Sequence, residues 1–79
     1  MGKQITLTVN VSHDKQERVW YVLSSDIQGL HAEAETLDEL VTVISDVAPD
    51  LIVANMPGTP PDTAIRIQHT VNTKPARAA

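Results

Sequence analysis

Four strands and one helix, in the order β-β-β-α-β, are what this sequence predicts: an α+β domain of two layers. A mixed four-stranded sheet of order 3-2-1-4 is expected under one amphipathic helix. Three observations carry this. Residues 3–13, 30–35 and 64–73 alternate apolar with polar side chains, and 18–24 is β-branched, aromatic and apolar, as strands are. From Leu37 the apolar period changes to that of a helix. A right-handed crossover from that helix to a strand beside the first sets the last strand parallel to the first.

In 3–13 (KQITLTVNVSH), Ile5, Leu7, Val9 and Val11 lie on one face and Thr6, Thr8, Asn10 and Ser12 on the other, a strand with one wet side. Residues 13–17 are a polar connection of hairpin length, so 18–24 returns antiparallel. That second strand is apolar on both faces, with Trp20 and Val22 on one and Val19, Tyr21 and Leu23 on the other. The expectation is that the helix covers one face and a partner subunit the other; the alternative is a small satellite cluster on the polar side. SSDIQG supplies the Ser, Asp and Gly of a turn, with Gly29 at positive φ. In 30–35, Leu30, Ala32 and Ala34 share one face, and His31, Glu33 and Glu35 share the other.

Thr36 and Glu39 have the spacing of a capping box, in which each side chain satisfies the other residue's backbone N–H. Leu37, Leu40, Val41, Ile44, Val47, Ala48, Leu51 and Ile52 follow the helical repeat, with Asp38 and Glu39 at the positive end of the helix dipole. Pro49 lacks an N–H and crowds the carbonyl four residues back, so a kink or a restart is expected there. The breaker cluster 55–61 (NMPGTPP) ends the helix. Alternation resumes in 64–73, with Ile65, Ile67, His69 and Val71 on one face. Residues 1–73 read as one domain and 74–79 as a flexible C-terminal tail.

Seventy-nine residues with no Phe and one Trp make a small core, so self-association as a homodimer, with a tetramer next, is the expected further source of stability. Zero Cys excludes a disulfide scaffold and suits a reducing cytoplasm, which is the expected location. Neither a signal peptide nor an apolar run long enough for a membrane span is present. A net charge of −4 argues against nucleic acid as a partner and suits a basic protein, although it is also ordinary for solubility.

No catalytic residue, metal site or cofactor is expected, and an enzyme is not. His13, His31 and His69 lie on different elements without HxH or HxxxH spacing, and His69 reads as a strand-end histidine with its tip in solvent. Glu33 and Glu35 read as a solvated strand edge whose charges discourage pairing with other chains, since an acid–base pair needs a cleft that shifts one of them. Ser24-Ser25-Asp26 lacks a nearby His and a nucleophile elbow, and Gly29 stands outside any phosphate-cradling glycine run.

The pattern of Trp20, Tyr21, Asp26, Ile27, Gly29, Leu30, Glu33, Thr36, Leu37, Glu39 and Leu40 resembles the HicB-like antitoxin superfamily, in particular its small stand-alone members of uncharacterised function. The likeness is strong over the middle third of the chain and extends loosely through Pro49-Asp50-Leu51. Members usually have Pro where this chain has Gln28, and full-length antitoxins usually add a helix-turn-helix or ribbon-helix-helix segment that nothing after Pro61 resembles. The resemblance implies the same sheet order. It also implies a toxin–antitoxin role: a protein-binding module that neutralises a small basic HicA-type ribonuclease, here without its own DNA-binding segment. The second reading is an orphan homo-oligomeric domain with a structural or small-ligand-binding role. Val19, Trp20, Tyr21, Glu33 and Glu35 are the candidate partner or oligomer surface, with Asp26, Gly29, Thr36 and Glu39 as the structural motif.

Overall fold

The computed structural model describes residues 4–71. Its elements run β1 (Thr6–Asp14), β2 (Val19–Ser25), β3 (Glu33–Ala34), α1 (Leu37–Asn55) and β4 (Ala64–His69). The sheet has the order β3-β2-β1-β4, with β2 antiparallel to both β1 and β3, and β4 parallel to β1. This is the α+β architecture and strand order expected. The assigned tail 74–79 lies outside the described residues, as do Lys3 and the last two positions of 64–73.

The alternating residues of β1 separate as their chemistry requires. Leu7, Val9 and Val11 are buried, and they meet Leu40, Ile44 and Ala48 of α1 together with Ile27 and Leu30 from the turn. Ile5, one step earlier in the same phase, is exposed and precedes the first paired residue. The β1–β2 hairpin closes through Asp14, whose Oδ1 accepts from the backbone N–H groups of Gln16 (3.0 Å) and Glu17 (3.1 Å), while the Arg18 N–H donates to the Asp14 carbonyl (2.7 Å). Arg18 takes φ +59°, a left-handed conformation that most side chains resist.

The third strand is shorter than the alternation suggested, covering Glu33–Ala34 and not 30–35. A hydrogen bond from the Val22 N–H to the Ala32 carbonyl (3.1 Å) extends the pairing only a little. The reason is packing: Ile27 and Leu30 are both almost fully buried, so the backbone dips into the core before it can join the ladder. The expected faces survive, with Leu30, Ala32 and Ala34 turned inward and His31, Glu33 and Glu35 exposed.

The turn is held at both ends. Asp26 Oδ2 accepts from the Thr8 N–H (2.8 Å) and the Asp26 N–H donates to the Thr8 carbonyl (2.9 Å), so one residue ties the end of β2 to β1. The Ser25 hydroxyl accepts from the Ile27 N–H at 2.8 Å. Gly29 has φ +84°, as expected, and a Cβ there would also lie 2.9 Å from Asn55 Nδ2. That nitrogen donates to the Gln28 carbonyl at 2.9 Å, so the end of the helix grips the turn. The φ is what calls for glycine; a Cβ at this position would also push the Asn55 amide aside.

Thr36 caps α1: extended backbone (φ −128°, ψ 157°) lets its Oγ1 accept from the Glu39 N–H at 3.1 Å. The return half of the box differs from expectation. Glu39 Oε1 accepts from the Thr36 hydroxyl (3.1 Å) instead of serving the Thr36 backbone N–H. Of the kink or restart expected at Pro49, the restart does not occur: the helix is one segment through that residue. Pro49 is exposed, as is Ser45 four residues back, so the carbonyl that loses its partner faces solvent. No helix among the described residues is long and apolar enough to cross a membrane.

Two expected outcomes test this account. Thr36→Ala costs about 1 kcal/mol in chemical denaturation, and a mutant curve that overlays the wild type removes the cap. Gly29→Ala costs about 1–3 kcal/mol from its left-handed φ and the displaced Asn55 amide. In a double-mutant cycle with Asn55→Ala, part of that loss disappears; strict additivity of the two changes would show that they do not touch.

Candidate functional site

Each face of the sheet inherits one set of alternating residues, and the candidate surface divides between them. Trp20 and Val22 point toward α1 and pack against the core. Val19 and Tyr21 point to the face that no helix covers, and both are half-buried there. The pairs Ser12–Tyr21 and Tyr21–Glu33 put Tyr21 in the middle of this open face, whereas Trp20 pairs with His13 and Ala34 on the other.

A register shift separates the two ends of β2. Asn10 pairs with Ser24 and Val11 with Val22, so Leu23 is the extra residue of a bulge. It leaves the ladder and is 62% exposed. Beyond the bulge the open face is polar and satisfied by itself: Asn10 Nδ2 donates to Ser24 Oγ (2.9 Å), and Gln68 Nε2 donates to Asn10 Oδ1 (2.7 Å). The apolar character that set β2 apart in the sequence is therefore confined to one end, around Val19 and Tyr21.

That end is concave and acidic. A depression of about 270 Å³ is lined by Asp14, Glu17, Val19, Tyr21 and Glu33. A second, of about 490 Å³, is lined by Tyr21, Val22, His31, Ala32 and Glu33. Tyr21 and Glu33 belong to both. Three acidic residues and one aromatic residue thus share the lining of this part of the open face, a combination that suits the guanidinium or ammonium group of a basic side chain. Glu35 is exposed but lies past the end of β3, one residue beyond the ladder. Asp14 ends β1 and Glu17 lies in the turn after it, within a stretch the sequence marked only as polar; their membership depends on the hairpin that pairs Asp14 with Val19.

On the opposite face the structure assembles a group that residue spacing alone did not. The His13 ring lies 4.8 Å from the Trp20 ring, and the His69 ring meets Trp20 edge-on at 4.9 Å. His69 is the last residue of β4 and exposed, as expected, with its edge-on contact against the indole added to that. The signal was present, since His13 continues the phase of Val11 and His69 that of Ile67, and parallel pairing sets Val11 against His69. His31 stands apart on the rim of the second depression. Among the described residues, no three His, Asp or Glu side chains converge as a metal site would need. A third concavity, of about 460 Å³, opens between Ile5, Leu7 and the loop after α1, and no charged side chain lines it.

One helix on a four-stranded sheet, with an acid-rimmed tyrosine on the uncovered face, defines a small α+β domain whose accessible features are surfaces and shallow depressions. Residues 6–78 match the family described as Domain of unknown function (DUF1902), and the chain belongs to that family. Its fold is shared by the hypothetical protein TTHA1013 from the extremely thermophilic bacterium Thermus thermophilus. The two superpose with a TM-score of 0.78 at 30% identity, over 87% of this chain and 97% of that one. Comparison with curated proteins returns no match.

The division of β2 between two faces has a measurable consequence. Trp20→Ala is expected to lower stability by about 2–3 kcal/mol, below the full cost of a buried aromatic because the indole is half-buried. Tyr21→Ala, on the open face, is expected to cost under about 1 kcal/mol. Equal losses in urea denaturation would mean that both rings belong to one core.

Proposed function

We propose that this chain is a HicB-like antitoxin module that binds and occludes a small basic ribonuclease of the HicA type in the cytoplasm. The observation that carries the reading is Tyr21 on the helix-free face, in a depression whose lining it shares with Asp14, Glu17 and Glu33. The sequence resemblance over residues 20–40 supports it, as does the net charge of −4. Exposed carboxylates steer a basic partner into encounter, and the apolar body of Tyr21 with Val19 supplies a dehydrated centre once it docks. DNA binding has no place in the proposal: among the described residues the single helix is used to cover the sheet, and the open face is acid-rimmed.

The test is co-expression with the small basic protein encoded beside this chain. Rescue of growth and co-purification are expected. Tyr21→Ala should weaken the complex by roughly 30-fold, the scale of a central aromatic anchor. Glu33→Lys should slow association and reduce its dependence on salt, since surface charges are screened within about 10 Å at 0.1 M. If no basic neighbour is encoded, or the two proteins fail to associate at low salt, the orphan-domain reading with a structural or small-ligand role takes its place.

A further inference from the structure

The two edges of the sheet are finished differently. On one side, β3 is only two residues long, begins at the exposed Glu33 and is followed by the exposed Glu35, the short, charged ending that keeps an edge from pairing. On the other side, β4 runs six residues, Ala64–His69, with no proline, no glycine and one charge, Arg66. It pairs with β1 and with nothing else among the described residues.

The free edge is also the poorly covered flank of the inner layer. A helix is about 10–12 Å across with its side chains, and strands are spaced about 4.8 Å apart, so one helix covers roughly two strands of four. The backbone of α1 runs closest to β2 and β3. Ile65 and Ile67 therefore pack against the border of the core and stay half-exposed.

The polarity of the edge follows from one hydrogen bond. The Ala64 N–H donates to the Ile5 carbonyl at 2.9 Å, so the backbone groups of Ala64, and by alternation those of Arg66 and Gln68, point to β1. The N–H and C=O groups of Ile65, Ile67 and His69 point away from the sheet.

We propose that this edge is a homodimer interface, in which β4 of two copies pair antiparallel about a two-fold axis at Ile67 and join the sheets into one. A second copy fits because the strand is self-complementary in one register. Two registers give the longest overlap with both helices on the same side, centred on Arg66 or on Ile67. Centring on Arg66 sets the two guanidinium groups directly opposite in a close, non-hydrogen-bonded pair, which like charges oppose. Centring on Ile67 sets Ile67 against its copy and Ile65 against His69 on the inner face, with Arg66 against Gln68 on the outer. It also brings His69 into the ladder. Because Gln68 uses its Nε2 on Asn10, its amide oxygen remains an acceptor for the Arg66 guanidinium of the second copy. About six backbone hydrogen bonds would form, and the exposed flank of Ile65 and Ile67 would gain an apolar neighbour. The Tyr21 surface, on the far side of β1, stays clear in this arrangement, so the dimer and the proposed function stand or fall separately.

The test uses the full chain and solvent-facing substitutions that leave the core intact. Sedimentation of the wild type at high micromolar concentration should give a dimer mass. Gln68→Arg, which sets like charges opposite each other twice per dimer, should raise the dissociation constant about tenfold, and Gln68→Glu should lower it about tenfold. Arg66→Glu combined with Gln68→Arg should restore wild-type association. Amide exchange should show the Ile65, Ile67 and His69 N–H groups protected at high concentration and fast on dilution. A monomer at high concentration overturns the proposal, as does a dimer that ignores both Gln68 substitutions or leaves those three amides unprotected.

Discussion

A single helix has to close one face of a four-stranded sheet, and the rest of the structure follows from that mismatch in width. The apolar stripe of α1 is narrow, and its deepest residues, Leu40, Ile44 and Ala48, press on Leu7, Val9 and Val11 of β1. What remains must be closed by other means. Ile27 and Leu30 plug the core where the turn leaves β2, and Trp20 lies over the end bounded by His13 and His69. No buried side-chain polar atom among the described residues lacks a partner, and none of the core residues is polar. Such a core needs no internal hydrogen bonds. Its stability rests on apolar area, aliphatic at the centre with the Trp20 ring at its border, which a chain of this size has in modest supply.

The turn after β2 carries the second constraint. It must reverse the chain, drop two large aliphatic residues into the core and deliver a capped helix, all between Ser25 and Leu37. Asp26 ties its start to Thr8, and Asn55 ties its middle to the far end of the helix. Because that distant contact crosses Gly29, the turn and the helix C-terminus hold each other in place. The same geometry leaves β3 only two residues, enough to put Glu33 opposite Tyr21. The acidic surface is thus a by-product of how the core is plugged, and its chemistry is set by residues that have no part in the core.

Legibility of the surface was uneven for physical reasons. Period-two alternation showed that Trp20 and Tyr21 face opposite ways, because that depends only on the strand. It also showed that Glu33 is wet. It did not join Asp14 and Glu17 to Tyr21, since that depends on how the end of β1 pairs with β2 and on the path of the turn between them, with its left-handed backbone at Arg18. Nor did it reveal that Leu23 would be ejected, because a bulge is a property of two paired strands and is invisible in one. The histidines were spaced too far apart along the chain to suggest a group, and only the parallel pairing of β4 with β1 brought His69 to Trp20.

By itself the sequence determined the elements, their order, the sheet order and the two faces of each strand. All of these rest on local periodicity, on caps and turns within a few residues, and on the handedness of a crossover. Tertiary structure alone decided the length of β3, the unbroken path of α1 through Pro49 and the form of the cap at Glu39. It also decided which polar residues gather around Tyr21. Each of those outcomes is a competition between local preference and burial. The ladder at residues 30–32 yields to the burial of Leu30, and the helix continues past Pro49 because Ala48 and the residues beyond it still have a core to cover, while the lost hydrogen bond faces solvent. Periodicity states what a segment prefers. Only the packed layers set how much burial each segment is offered for giving that preference up.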